Sequence, residues 1–281
     1  MTNKVGFMQG RLSSQVDGKI QAFPWAHWRE EFVAAETLRF RLLEWTLDQE
    51  RLEENPLMTA TARAEIQALS AAHCVNIPSL TADCFMQAPF WKATSAELLQ
   101  DLLQKLDRVI EACGIMQIDI IVVPLVDNGR LVNQAESQLL MKEFIARSPL
   151  LERAHVRVAF ETDLAPETIA DWIADYPKYL FGINYDTGNS ASLGYDPEEE
   201  WALYGDRVFN VHIKDRVLGG TTVPLGEGVC KFLACFTAMR RSGYGGNLIL
   251  QTARATDGDH ARILMRYRDM VKNWINESYG S

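Results

Sequence analysis

Short apolar or β-branched runs recur along the chain at Val5–Phe7, Leu42–Trp45, Val75–Leu80, Ile118–Val126, Val156–Phe160, Phe181–Tyr185, Val208–Ile213 and Asn247–Leu250. Each is too short for a helix, and near-continuous apolar character predicts strands buried on both faces. The intervening segments carry helical spacing and helix-boundary chemistry. Thr94-Ser95-Ala96-Glu97 has the form of a capping box opening a helix through Ala112. Asp196-Pro197 sets a cap residue before a proline at the first helical position. Arg240 and Arg241 place cations at the negative end of another helix, and Gly243 turns the chain out of it. A last helix is expected near His260–Asn276. Eight strands, each followed by a helical segment, predict eight βα units, and unbroken alternation calls for a parallel sheet.

Eight repeats favour closure, so the expected architecture is α/β, a (β/α)8 TIM barrel forming one domain over residues 1–281. An open doubly wound sheet would carry a glycine-rich phosphate loop after its first strand, and Gly6 and Gly10 do not form one. Five scattered cysteines without a C-x-x-C pair are read as buried thiols in a reducing, cytoplasmic compartment. Residues 1–10 lack the basic start and apolar stretch of a signal peptide. The longest apolar run falls far short of the roughly 20 residues of a membrane span. A net charge of −9 repels polyanions and argues against broad nucleic-acid binding.

Function in such a barrel sits on the loops after the strands. Strand 2 offers Glu44, strand 5 ends in Glu161-Thr-Asp163, and strand 6 ends in Asn184-Tyr-Asp186-Thr-Gly-Asn189. Strand 7 ends in His212-Ile-Lys214-Asp215-Arg216, and strand 8 in Gln251-Thr-Ala-Arg254. Lone carboxylates after strands are commonly caps or surface charges, which is the reading for Asp163 and Asp196; His73 and His155 are read as helix-end or surface histidines. Glu161, Asp186 and His212 differ because they fall at consecutive strand ends, where three convergent polar groups would otherwise be costly to bury. Carboxylates with one imidazole and no thiolate suit Mn²⁺, Mg²⁺, Co²⁺ or Zn²⁺. Arg11, Arg216 and Arg254 follow adjoining strands 1, 7 and 8 and are expected to face one sector of the mouth, where guanidinium forks suit phosphate or carboxylate. Gln9, Trp25, His27 and Trp45 lie near the first two strand ends, as packing residues or sugar-stacking faces. Asp215 is expected to orient its surroundings or His212 itself, with Lys214 beside it.

The stretch from Val211-His212-Ile213-Lys214-Asp215 through Val223-Pro224-Leu225-Gly226-Glu227-Gly228 to Ser242-Gly243-Tyr244-Gly245-Gly246, with Asp186-Thr-Gly-Asn189, resembles the sugar-phosphate isomerase/epimerase branch of the xylose-isomerase-like TIM barrels. It is especially similar to L-ribulose-5-phosphate 3-epimerases. The resemblance implies one divalent metal per chain, held by Glu161, Asp186, His212 and residue 251. It also implies a sugar or sugar-phosphate substrate and proton transfer next to a carbonyl, with Glu161 and residue 251 on opposite faces. Asn189 and Glu44 join the three arginines as candidate substrate contacts. In those epimerases the last ligand is a glutamate; here it is Gln251, which lacks basicity and removes a negative charge from the ligand set. That leaves a one-base isomerase using Glu161, a different acid such as Glu44, Lys214 or Asp215, or a sugar-binding protein without turnover. A sugar-acid or inositol-type dehydratase shares the chemistry. An endonuclease on the same barrel needs further histidines, and Asn189 stands where one of them would be. A homo-oligomer is compatible with the loop lengths.

Overall fold

The structure, a computed structural model, describes residues 4–278. Its strands are β1 (Val5–Met8), β2 (Leu43–Thr46), β3 (Ser79–Thr81), β4 (Ile120–Leu125), β5 (Arg157–Thr162), β6 (Phe181–Asp186) and β7 (Val208–Ile213). A small antiparallel ribbon of β8 (Asp215–Arg216) and β9 (Thr222–Val223) follows, and then β10 (Asn247–Leu250). The eight longer strands close in the order β1, β10, β7, β6, β5, β4, β3, β2, every pair parallel. This is the expected (β/α)8 barrel, with helices outside. β3 is shorter than the apolar run predicts. Upstream of it only Asn76 bridges Leu42, because Pro78 carries no N–H to extend the ladder.

The absence of polar alternation follows from having two cores. On β4, Ile121, Val123 and Leu125 belong to the large core between sheet and helices. Ile120 and Val122 point the other way and, with Ala159 and the edge of Phe209, fill the barrel interior. Above this plug the inward positions turn polar. Asn184 pairs in register with Asn210, and Asp186 with His212, so two successive inward layers of β6 and β7 are hydrophilic.

Helix boundaries follow local chemistry, with one shift. The helix Ala96–Met116 is capped by Ser95, whose Oγ accepts the Leu98 N–H at 3.2 Å, so the cap falls one residue later than the expected box at Thr94. Ser95 is in extended backbone, the conformation a cap requires. Asp196 caps Pro197–Tyr204 through the Glu198 N–H at 2.9 Å. Gly243, at φ +71°, ends the helix Phe232–Arg241, and the last helix is His260–Ser278. The cysteines are all free, but Cys74 is exposed and not buried: it closes the helix Ala60–His73 in the left-handed region.

Gly182 shows how tightly β6 is held. A Cβ there would lie 2.3 Å from the Arg207 carbonyl and 2.8 Å from the Phe209 ring, next to the register shift between Ile183 and Asn184. Gly182→Ala is therefore expected to lower stability by about 1–3 kcal/mol, the usual range for overpacking. Denaturant titration with unchanged slope is the check, and a midpoint equal to wild type would mean that β6 can shift.

Candidate metal centre

Glu161, Asp186 and His212 stand at the ends of β5, β6 and β7, and one potential ligand atom from each lies within 4.8 Å of the others. All three are buried. The β-sheet register brings Asp186 opposite His212, and the inward pleat adds Glu161 from the neighbouring strand.

His212 is gripped from both sides. Its Nε2 donates to Glu44 Oε1 at 2.7 Å, and its Nδ1 lies 3.0 Å from Glu161 Oε2 without an aligned hydrogen bond. Burial alone would push the imidazole pKa down; the two carboxylates outweigh it and raise it to about 10. Burial likewise pushes the Glu161 and Glu44 carboxyls up, but His212 and their hydrogen-bond donors hold both below the ordinary carboxylate value. Glu44 is completely buried. It accepts from Ser79 Oγ and Thr81 Oγ1, both at 2.6 Å, and from Asn210 Nδ2 at 2.9 Å. Its oxygens are thus committed to the interior. This corrects its assignment as a substrate contact: Glu44 fixes the His212 ring and leaves Nδ1 facing Glu161 and Asp186.

Asp215, expected beside His212, turns away instead. It accepts the backbone N–H groups of Gly226 (2.9 Å), Gly228 (3.0 Å) and Cys230 (3.1 Å), and so pins the loop after the β8–β9 ribbon. Of the two roles envisaged, orienting its surroundings is the one observed.

Asp186 has two tasks. Oδ1 caps the short helix Thr187–Leu193 by accepting from Gly188 and Asn189 N–H, both at 2.9 Å. Oδ2 faces the centre and lies 2.7 Å from Lys214 Nζ. The stem of Lys214 crosses directly beneath Gly188, where a Cβ would come within 2.8 Å of Lys214 Cγ. Glu161 is oriented by two amides: Asn184 Nδ2 donates to Oε2 at 2.7 Å and Asn189 Nδ2 to Oε1 at 2.8 Å. The Asn189 oxygen in turn accepts from Arg216 Nη1 at 2.9 Å, while Arg216 Nε and Nη2 donate to the Gly220 carbonyl. Arg216 is therefore coupled to Glu161 through one amide.

Gln251 extends β10 into the same mouth. Its Oε1 is buried without a hydrogen-bond partner, and its Nε2 donates to Gln21 Oε1 at 2.9 Å. An imidazole nitrogen without an aligned hydrogen bond beside two carboxylates is a donor set that suits a hard or borderline divalent cation, and the triad fits such an ion.

The arginine expectation holds only in part. Arg11 and Arg254 do come together, but they lace the loop after β1 to the end of β10. Arg11 Nε and Nη1 donate to the carbonyls of Thr252 and Ile20, both at 3.0 Å. Arg254 donates to the carbonyls of Ser13 (2.7 Å) and Ile20 (3.3 Å). Burial and the neighbouring Arg254 lower Arg11 to about 9. Arg216 is bonded separately, to Asn189 and the Gly220 carbonyl. Trp45 is core, with its Nε1 donating to Asn55 Oδ1 at 3.1 Å, and Trp25 is covered by the Arg51 guanidinium at 3.9 Å. His27 pairs with Glu30 at the surface, and Gln9 Oε1 accepts the Thr46 N–H at 3.1 Å while its buried Nε2 has no hydrogen-bond partner.

Two residues escaped the sequence reading. Gln21, in the loop after β1, accepts from Gln251 and donates to Asp83 Oδ2. Asp83 opens the short helix after β3 and is buried. Burial, then repulsion by Asp48, raises its pKa to about 7 despite the Gln21 bond, with smaller opposing effects from Glu161 and His212. A carboxylate in the first turn of a helix carries no distinguishing mark in sequence, and Gln21 lies in a loop without periodicity.

Residues 32–272 match the xylose isomerase-like TIM barrel family. The chain belongs to this family. Within it, the chain is similar to the L-ribulose-5-phosphate 3-epimerase UlaE of Escherichia coli, at 26% identity over 258 residues covering 87% of this chain and 89% of the relative. Its fold is similar to an IOLI protein solved with a bound zinc atom (TM-score 0.74, 14% identity, 96% of this chain and 99% of that one). It is also similar to the D-psicose 3-epimerase of Clostridium cellulolyticum H10, solved with D-tagatose (TM-score 0.71, 11% identity, 98% and 99%). The family's relatives and structural neighbours thus include carbohydrate epimerases. Among the described residues no helix is long and apolar enough to cross a membrane.

Removing Glu44 would strand its three donors and the His212 Nε2–H in the barrel interior. Glu44→Ala is expected to cost about 3–5 kcal/mol, as for other broken buried ion pairs. Thermal and denaturant unfolding measure this, and a loss below about 1 kcal/mol would contradict the role assigned to the carboxylate.

Proposed function

We propose that this chain is a divalent-cation-dependent sugar epimerase or isomerase that moves a proton next to a carbonyl. The observation that carries the proposal is the His212 ring, tied by Glu44 at Nε2 and turned with Nδ1, free of an aligned hydrogen bond, toward the point where Glu161 and Asp186 converge. The names of the relatives, carbohydrate epimerases in several cases, support the reaction class. Glu161, Asp186 and His212 would hold the ion, with Gln251 Oε1 as a fourth, neutral donor. Bound there, the ion would polarise the carbonyl and stabilise the negative charge that builds on oxygen.

The remaining chemistry belongs to the side chains. Glu161 is the base: its depressed pKa keeps it ionised at neutral pH, and the Asn184 and Asn189 amides fix its direction. Arg216 and Asn189 form the polar rim beside it. In this reading Arg216 meets a phosphorylated or acidic sugar by giving up part of its bonding to Gly220. Arg11 and Arg254 serve the substrate indirectly by holding the first loop over the mouth. A small sugar or sugar phosphate is the substrate class, and five free thiols suit a reducing, cytoplasmic setting.

Gln251 favours one second reading, a sugar-binding protein that no longer turns its ligand over, because the amide cannot exchange a proton as a glutamate can. The two readings separate in D₂O. Protein treated with chelator and reloaded with Mn²⁺ is incubated with L-ribulose 5-phosphate and with unphosphorylated ketoses. The enzyme reading predicts one ion per chain and deuterium appearing at the carbon beside the carbonyl, lost about 10²- to 10⁴-fold in Glu161→Gln. Exchange appearing only in Gln251→Glu supports the binder. No ion and no exchange in either form contradicts the metal centre.

A further inference from the structure

We propose that Asp83 is the second proton-transfer group of this site, doing what an ionisable side chain at position 251 would otherwise do, with Gln21 as its positioning residue. The inference rests on the epimerase reading above and supplies the acid that Gln251 cannot.

The other ionisable groups near the centre are already occupied. Glu44 has both oxygens bonded inside the barrel, Asp215 holds four backbone N–H groups, of Arg216, Gly226, Gly228 and Cys230, and the Lys214 ammonium lies on Asp186. Asp48, which faces Asp83, accepts the Phe23 N–H and a Gln87 amide proton, both at 2.8 Å. Asp83 differs from all of these. It is buried at the barrel mouth, has no lysine or arginine within ion-pair distance among the described residues, and accepts one side-chain hydrogen bond, from Gln21. The same Gln21 amide accepts from Gln251, so a single side chain links the deficient position on β10 to a carboxyl beyond β3. The charged groups that face Asp83 are Asp48, Arg11, Glu161 and His212; Thr81, two residues before it at the end of β3, donates to Glu44, so Asp83 follows directly on the polar layer around His212. With its pKa raised to about 7, both its acid and its base form are present at neutral pH, which is what a group that must donate and then accept requires.

The step balances without a redox partner. Glu161 removes the hydrogen beside the carbonyl as a proton, and the C–H electron pair passes into the enediolate. The Asp83 carboxylic acid then gives its proton to the same carbon from the other side, and the O–H pair stays on Asp83. The sugar leaves epimerised, with Glu161 protonated and Asp83 ionised, and proton exchange with solvent resets both.

The test is Asp83→Asn, assayed in D₂O with L-ribulose 5-phosphate and, separately, its 3-epimer. Interconversion should fall at least about 10²-fold, while deuterium wash-in continues within about tenfold for the one epimer whose hydrogen faces Glu161. Asp83→Glu, which keeps a carboxyl, should recover part of the interconversion, and Gln21→Ala should lower kcat more than it changes KM. Interconversion surviving in Asp83→Asn overturns the proposal and leaves the epimerase reading standing. Wash-in lost equally from both epimers also overturns it. No exchange in the wild type with either sugar overturns both readings together.

A second readout does not depend on turnover. A carboxyl whose folded pKa lies above its unfolded value holds its proton more tightly in the native state. Stability is therefore lost as pH rises from about 4 towards about 7. Chelator-treated Asp83→Asn lacks that loss, so its unfolding midpoint should match wild type near pH 4 and exceed it at pH 8. Parallel profiles would mean that Asp83 titrates as it does in the unfolded chain and is ionised at neutral pH, and would overturn its role as an acid.

Discussion

One imidazole held between two carboxylates at the centre of a barrel sets the terms for everything around it. The Glu44–His212–Glu161 row lies where water does not reach, and removing an ion from water costs several kcal/mol even after the protein relaxes. The arrangement survives only because each charge is met by directed donors. Ser79 and Thr81 on β3 are small hydroxyl residues because Glu44 requires them, Asn210 bridges Glu44 to Asn184, and Asn184 completes Glu161. Hydrogen bonds to charged groups are worth about 1.5–3 kcal/mol each, enough in sum to compensate burial. The demand for them explains why the upper inward layers of five strands are polar while the lower layer, Ile120, Val122 and Ala159, is an apolar plug.

The same row decides which atoms are left for chemistry. With Nε2 committed to Glu44, His212 can offer only Nδ1. Asp186 gives one oxygen to the cap of Thr187–Leu193 and turns the other inward, so the helix start and the centre share a side chain. Gln251 lowers the negative charge of the set by one, and Lys214 brings a cation to Asp186. The centre is accordingly less anionic than a four-carboxylate cluster would be, and the net charge of −9 is carried elsewhere on the molecule. Above it, Arg11 and Arg254 tie the first loop down through backbone carbonyls, which brings Gln21 across the mouth.

Legibility in the sequence followed how local each signal was. The barrel could be read because every strand announces itself in four to eight consecutive residues and the alternation is unbroken. Glu161, Asp186 and His212 could be singled out as a group because each closes a strand, which makes their convergence a consequence of topology. Asn184, part of the strand 6 end, and Asn210 carry the same information, since each stands two residues before Asp186 or His212 on the same inward face, but spacing alone assigns neither a role. The role of Glu44 was not legible, since its contact with His212 spans 168 residues and nothing near Glu44 marks its partner. The arginines misled for a related reason. Strand ends bring guanidinium groups to the mouth, but which backbone carbonyls will claim them depends on a loop path that spacing does not encode. Asp83 and Gln21 lie beyond pattern altogether, as their pairing exists only once that loop has folded over the barrel.

A cation site at the convergence of Glu161, Asp186 and His212 differs from a buried imidazolium between carboxylates in holding an ion at His212 Nδ1. Crystals grown with Mn²⁺ and measured at its absorption edge test this directly. The expected result is one anomalous peak per chain, bonded to His212 Nδ1 and to oxygens of Glu161 and Asp186, with Glu44 still on Nε2. A centre without a peak, or a peak lying only on surface carboxylates, would contradict it.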